Sequence, residues 1–141
     1  MALQLIRSVP MLATGNMDKT IAFYRDLLGF ELGDKFESSG EISWCEMRLG
    51  GAVLMFSQHE TKTDAPGAGE VFAQTAIALY VRNVEEAHEE LVRAGVEASS
   101  LRVTFYGMKE FDLRDPTGYT LLIGQATDES PTVDGEEGAP F

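Results

Sequence analysis

Cysteine is almost absent from this chain: Cys45 is the only one among 141 residues. A single thiol cannot close an internal disulfide. Its unpaired presence fits a reducing compartment, so a cytoplasmic location is expected. Basic residues are scarce too, with 11 Lys and Arg against 23 Asp and Glu and a formal charge of −12. Such a surface repels phosphate backbones, which argues against nucleic acid as a partner. Five of the acids lie in the last sixteen residues, ATDESPTVDGEEGAPF, and the rest of the chain still carries −7. The surplus serves solubility and would also tolerate or attract cationic small molecules. Long hydrophobic runs are missing: none approaches the roughly 20 residues needed to span a bilayer. No membrane partner is expected, and MALQLIRSVP lacks the basic-then-apolar pattern of a signal peptide. The stretch GAGE at 67–70 lacks the lysine and the strand-to-helix context of a phosphate loop.

What is present is a repeat. VPMLATGNMDKTIAFYRDLLGFEL, from Val9, resembles AIALYVRNVEEAHEELVRAGVEA, from Ala76. Each predicts a short strand, an Asn N-cap (Asn16, Asn83), a helix of about a dozen residues and a Gly stop (Gly29, Gly95). WCEMRLGGAVLMF then parallels MKEFDLRDPTGYTLLIG, each a strand, a Gly-containing turn and a strand. In that alignment Glu46 falls opposite Glu110 and Met55 opposite Leu122. The predicted organisation is a single domain over 1–126, with module one at 4–58, a polar linker at 59–73 and module two at 74–125. An acidic, disordered tail at 127–141 is expected after it.

Alternation assigns the strand faces. Ile77, Leu79 and Val81 share the side expected under a helix, and so do Cys45, Met47 and Leu49, Phe111 and Leu113, and Leu121 and Ile123. The opposite side collects Trp44, Glu46, Arg48, Met55, Ala76, Ala78, Tyr80, Met108, Glu110, Asp112 and Leu122. Aromatics, carboxylates and small residues mixed on one face suggest a ligand cavity rather than a plain solvated surface.

Individual side chains keep more than one reading. Glu46 and Glu110 could be satisfied by Arg48 or Arg114, could receive a cation, or, if buried together, could do acid–base chemistry. Asp112 is a weaker candidate of the same kind. Trp44, Tyr80 and Tyr106 could stack on a planar ligand, or serve packing or a dimer interface. Phe23, Leu27 and Leu28 are expected in the core. His88, on a stripe with Val84 and Leu91, is expected to be structural. His59 has no partners at metal-ligand spacing. Cys45 is expected to be a buried, inert thiol. In RDPTGY, Arg114, Asp115, Pro116 and Gly118 read as architecture of a tight turn.

FYRDLLGF and RDPTGY, with the repeat around them, resemble the vicinal oxygen chelate superfamily, the glyoxalase, bleomycin resistance and extradiol dioxygenase group. The likeness covers about 120 of the 141 residues. It implies an α+β fold of two βαβββ modules forming a curled mixed sheet around a cavity. Metal-dependent members place His, Gln or Glu at four strand positions, which here hold Val9, Met55, Ala76 and Leu122. None of these ligates zinc or iron. With Pro10 and Leu12 before the cap at the start of the chain, the resemblance is to the bleomycin-resistance branch, whose members sequester a drug without metal chemistry, usually as dimers. The function it implies is metal-independent binding of a small planar or cationic molecule by a cytoplasmic homodimer. No cofactor, metal or catalytic residue is expected. Trp44, Glu46, Met55, Tyr80, Tyr106, Met108, Glu110 and Asp112 are the expected ligand residues. The alternatives are a lyase, isomerase or dioxygenase-like enzyme of the same superfamily, or an open face that serves only as a dimer interface.

Overall fold

The computed structural model describes residues 2, 4–59 and 75–132. The chain divides into two compact units, Met1–Thr61 and Lys62–Phe141. Unit one holds β1 (Met11–Thr14), α1 (Met17–Ala22), β2 (Glu31–Ser38), β3 (Glu41–Leu49) and β4 (Ala52–Gln58). Unit two holds β5 (Ala76–Tyr80), α2 (Val84–Arg93), β6 (Arg102–Val103), β7 (Met108–Arg114) and β8 (Thr120–Ala126). Each is a βαβββ module with a four-stranded mixed sheet, in the orders β1-β4-β3-β2 and β5-β8-β7-β6. The first strand of each module runs parallel to its last, and the other pairings are antiparallel. Residues 60–74, which hold all but the first residue of the expected linker at 59–73, and residues 133–141 of the expected tail lie outside the described residues.

The helix termini follow the local chemistry. The Asn16 side chain accepts a hydrogen bond from the Lys19 amide at 3.0 Å, a standard N-cap. Gly29 and Gly95 end the two helices at φ of +85° and +89°, which only glycine adopts without strain. Asn83 does not cap its helix through its side chain. A glutamine closing the last strand acts instead, and it does so in both modules. Gln58 Oε1 accepts from the Met17 amide at 3.0 Å, and Gln58 Nε2 donates to the Gly15 carbonyl at 2.8 Å. Gln125 Oε1 accepts from the Val84 amide at 3.0 Å, and Gln125 Nε2 donates to the Arg82 carbonyl at 2.8 Å. The shared endings FSQ and IGQ carried that signal, and the alignment by hydrophobic pattern passed over it.

α1 continues as a π-helical turn over Phe23–Leu27. Met17, Thr20, Ile21 and Tyr24 form its buried stripe at the 3–4–7 spacing of a helix. Tyr24, fully buried, packs edge-on to Phe23 and Phe30 and tilts against Phe56 at a ring separation of 4.8 Å. This corrects the expectation for Leu27, which is 38% exposed. The stripe runs through Tyr24, and Leu27 lies beside it. α1 is too short to be stable alone, so packing of this cluster holds it. Each buried aromatic contributes about 1.5–3 kcal/mol.

In unit two α2 lies against β7 and β8 over Phe111, Leu121 and Ile123, and Val84 and Leu91 are its buried side chains. His88 stacks edge-on to Phe111 at 4.8 Å and reaches the Ser99 carbonyl at 2.9 Å, a structural role. Leu49, expected on the helix side, is half exposed because it opens the Gly50–Gly51 hairpin. Residues 127–132 were expected to be disordered. In the structure the Thr127 amide donates to the Gly107 carbonyl and the Thr132 amide to the Val103 carbonyl, both at 2.9 Å.

Candidate ligand-binding faces

In unit one, the strand register places Phe36, Trp44, Ser57 and Ala13 in one cross-strand row, and Glu46, Met55 and Met11 in the next. This is the sheet face opposite Cys45, Met47 and Phe56, which are buried. Glu46 is 8% exposed, and its carboxylate receives the Arg48 guanidinium through Nε at 3.1 Å and Nη2 at 2.7 Å. Arg48 also reaches Asp34 at 3.4 Å. A Cβ at Gly33 would lie 3.0 Å from Arg48 Nε, so the missing side chain there makes room for the guanidinium. Phe36, exposed and opposite Trp44, was missed by the sequence reading. It lies in an irregular stretch of β2 where alternation gives no face. Cys45 is buried on the other side, and its thiol is pushed up to about 11 by desolvation, an inert group at neutral pH.

In unit two one row runs Tyr80, Gly124, Glu110, Arg102, and the next runs Ala78, Leu122, Asp112. Gly124 leaves room here: a Cβ would meet the Met108 methyl at 3.1 Å and the Glu110 Cβ at 3.5 Å. Met108 therefore lies across the strand between Tyr80 and Glu110. Tyr80 is 76% exposed. Glu110, only 1% exposed, accepts from Arg102 at 3.3 Å and from the Tyr106 hydroxyl at 2.5 Å. Arg102 also donates to Asp112 Oδ2 at 3.0 Å. Arg102, not Arg114, is thus the partner of Glu110. The two-residue strand that carries it, β6, is too short for a periodicity signal.

The register also revises the repeat. Glu46 pairs with Met55, and Asp112 pairs with Leu122. The counterpart of Glu46 is therefore Asp112, and that of Glu110 is Trp44. Counted between these paired residues, the β7–β8 connection is only one residue longer than the β3–β4 connection, so the strands before the two turns correspond two residues further along than the hydrophobic pattern suggests.

Burial, and then the bond to Glu110, push the Tyr106 hydroxyl up to about 12 from an ordinary 10.0. The fold therefore favours the protonated phenol. That contribution is intact below pH 10.0, declines once unfolded-state tyrosine ionises, and is lost as the pH passes about 12. The tyrosinate absorbance difference between wild type and Tyr106→Phe should titrate near pH 12; a midpoint near 10 would mean that the hydroxyl is free.

The glyoxalase/bleomycin resistance protein/dioxygenase superfamily profile matches residues 7–123. The chain belongs to this superfamily. Solved structures agree on the fold of this glyoxalase/bleomycin resistance member. The bleomycin resistance determinant encoded on the transposon Tn5 is 21% identical, with a TM-score of 0.65 over 89% of this chain and 100% of that one. TnmS3, an antibiotic binding protein from a Streptomyces species, is 20% identical, with a TM-score of 0.69 over 90% and 99%. A glyoxalase family protein from Bacillus anthracis is 19% identical, with a TM-score of 0.69 over 89% and 99%. No curated protein sequence matches. At the four positions where the family resemblance implies metal ligands, this chain has Val9, Met55, Ala76 and Leu122. Three are hydrocarbon and one is a thioether, a donor set that does not fit a divalent cation. Among the described residues, no group of three or more His, Cys, Asp or Glu is placed to hold a metal, and no helix is long and apolar enough to cross a membrane.

Proposed function

We propose that this protein binds a small, planar, cation-bearing molecule without a metal ion, sequestering it rather than transforming it. The apolar set Val9, Met55, Ala76 and Leu122 carries the reading, because it removes the Lewis acid that the superfamily's enzymes require. The charge count supports the cationic preference. Arg48 faces two carboxylates, Glu46 and Asp34, and Arg102 faces Glu110 and Asp112, so each network keeps one negative charge in excess. Trp44, Phe36, Tyr80 and Tyr106 supply aromatic area for stacking beside those charges. A homodimer in a reducing compartment that excludes nucleic acid and membrane as partners completes the proposal.

The test is a panel of planar compounds, cationic and neutral, titrated against the fluorescence of Trp44 and checked by calorimetry, with elemental analysis of the same preparation. At least one planar cation is expected to bind to metal-free protein. Trp44→Ala should weaken that binding by about 10–30-fold, the effect of a central aromatic contact. Stoichiometric zinc, iron or manganese would overturn the reading in favour of an enzyme. A panel with no response would leave the open faces as interfaces.

A further inference from the structure

β6 is the weakest strand of its sheet on register alone, with two residue pairs, Arg102 with Glu110 and Val103 with Lys109. Yet Arg102 is the only cation bonded to Glu110 among the described residues. What holds the outer edge of β6 is the segment that follows β8. Thr132 Oγ1 accepts from the Val103 amide at 2.8 Å, and the Thr132 amide donates to the Val103 carbonyl at 2.9 Å. Both outward backbone groups of Val103 are met by this one residue. Further back, the Thr127 amide is tied to the Gly107 carbonyl at 2.9 Å, next to Tyr106. Between these two ties, Glu129 accepts from Lys109 at 3.0 Å, and its own amide is held by Thr127 Oγ1 at 3.2 Å. Lys109 is the register partner of Val103 and also pairs with Glu85 on α2.

We propose that Thr127–Thr132 is a strap that positions Arg102 and Tyr106 on the ligand face, with Glu129 and Thr132 as positioning residues. The inference rests on the ligand-binding reading for its functional meaning, but not for its geometry. Two of the groups that surround Glu110, the guanidinium and the phenol, sit on a short strand and a loop, and both are fastened from outside by the strap. The strap touches neither carboxylate, so its effect on the site passes through β6 and Gly107.

The test uses the full chain carrying Thr132→Val, Thr132→Ser, Glu129→Ala and the Thr132→Val/Glu129→Ala pair. It is run at a temperature where far-ultraviolet circular dichroism matches wild type. The readout is the tyrosinate titration of Tyr106, whose neighbours are Glu110 on β7, Arg102 on β6 and Thr104 in its own loop. In Thr132→Val and the double variant, the midpoint is expected to fall from about 12 toward 10.0, while Thr132→Ser, which keeps the hydroxyl, stays at the wild-type value. Affinity for whichever planar cation binds wild type should fall about tenfold in the double variant, one decade in Kd. Wild-type titration in the double variant would overturn the strap. The titration decides the strap even if wild type binds nothing in the panel, a result that would count against the ligand-binding reading alone.

Discussion

Replacing Arg102 with alanine should destabilise the protein by roughly 3–5 kcal/mol, the usual cost of stranding one member of a buried ion pair. The Glu110 side chain is 2% exposed and that of Arg102 is 16% exposed, so water reaches neither freely. Without the guanidinium, Glu110 keeps only the Tyr106 hydroxyl as a donor among its described bonds. A carboxylate in that position either stays charged without a counter-ion or takes up a proton, and both are costly. For a chain of this size the loss corresponds to a fall in Tm of roughly 10–15 °C. The second variant isolates the cause. Glu110→Gln in the Arg102→Ala background should recover about 1–2 kcal/mol, because a neutral amide is less expensive to leave half-satisfied than a charge. Arg102→Lys should lie between, keeping the charge but losing the fork that spans Glu110 and Asp112. Urea denaturation followed by circular dichroism measures all of these. An Arg102→Ala loss below about 1 kcal/mol would mean that the pair is solvated, contrary to its burial.

The second large effect is expected at Asp115. This carboxylate is 95% removed from solvent (5% exposed), and one oxygen, Oδ1, accepts from three consecutive amides: Thr117 at 3.0 Å, Gly118 at 2.9 Å and Tyr119 at 3.0 Å. The turn it organises joins β7 to β8, and both strands line the candidate ligand face of unit two. Asp115→Ala removes this shared side-chain acceptor and leaves the Gly118 amide its bond to the Asp115 carbonyl at 3.0 Å, and the expected cost is roughly 2–4 kcal/mol. Asp115→Asn keeps an acceptor oxygen and should lose about 1 kcal/mol, the difference between charged and neutral hydrogen bonding. Gly118, at φ +111°, is the other constraint on the turn, since a side chain there is strained whatever space is available. If Asp115→Ala and Asp115→Asn unfold at the same urea concentration, the carboxylate is not organising the turn.

Much of this is legible in the sequence. The two βαβββ modules follow from an Asn at each helix start, of which only Asn16 caps through its side chain, from paired Gly stops and from strand alternation, all signals with a short reach along the chain. The face assignment held where strands were regular: Glu46, Met55, Glu110 and Asp112 lie opposite the buried row of Cys45, Met47, Phe111 and Leu113. What escaped sequence reasoning depended on partners distant in sequence or on irregular backbone. Arg102 lies eight residues from Glu110 on a strand of two residues. Phe36 follows a register shift in β2, where counting by twos fails. Tyr24 displaced Leu27 from the core because a helical stripe is set by its first contacts, Met17 and Ile21, and α1 then widens into a π turn. The strap was missed for a compositional reason: Asp128, Glu129, Ser130 and Pro131 look like tail, and only the bonds to Val103 and Lys109 show otherwise.

The parallel pairing of β1 with β4, locked by Gln58 against the start of α1, bears on how the chain is made. Every strand of the first sheet is encoded between Met11 and Gln58. A nascent chain leaving the ribosome can therefore complete that sheet, with its helix clasped, while the second half is still being translated. The second half must wait longer, because β6 gains its outer support from Thr132, after all four of its own strands have emerged.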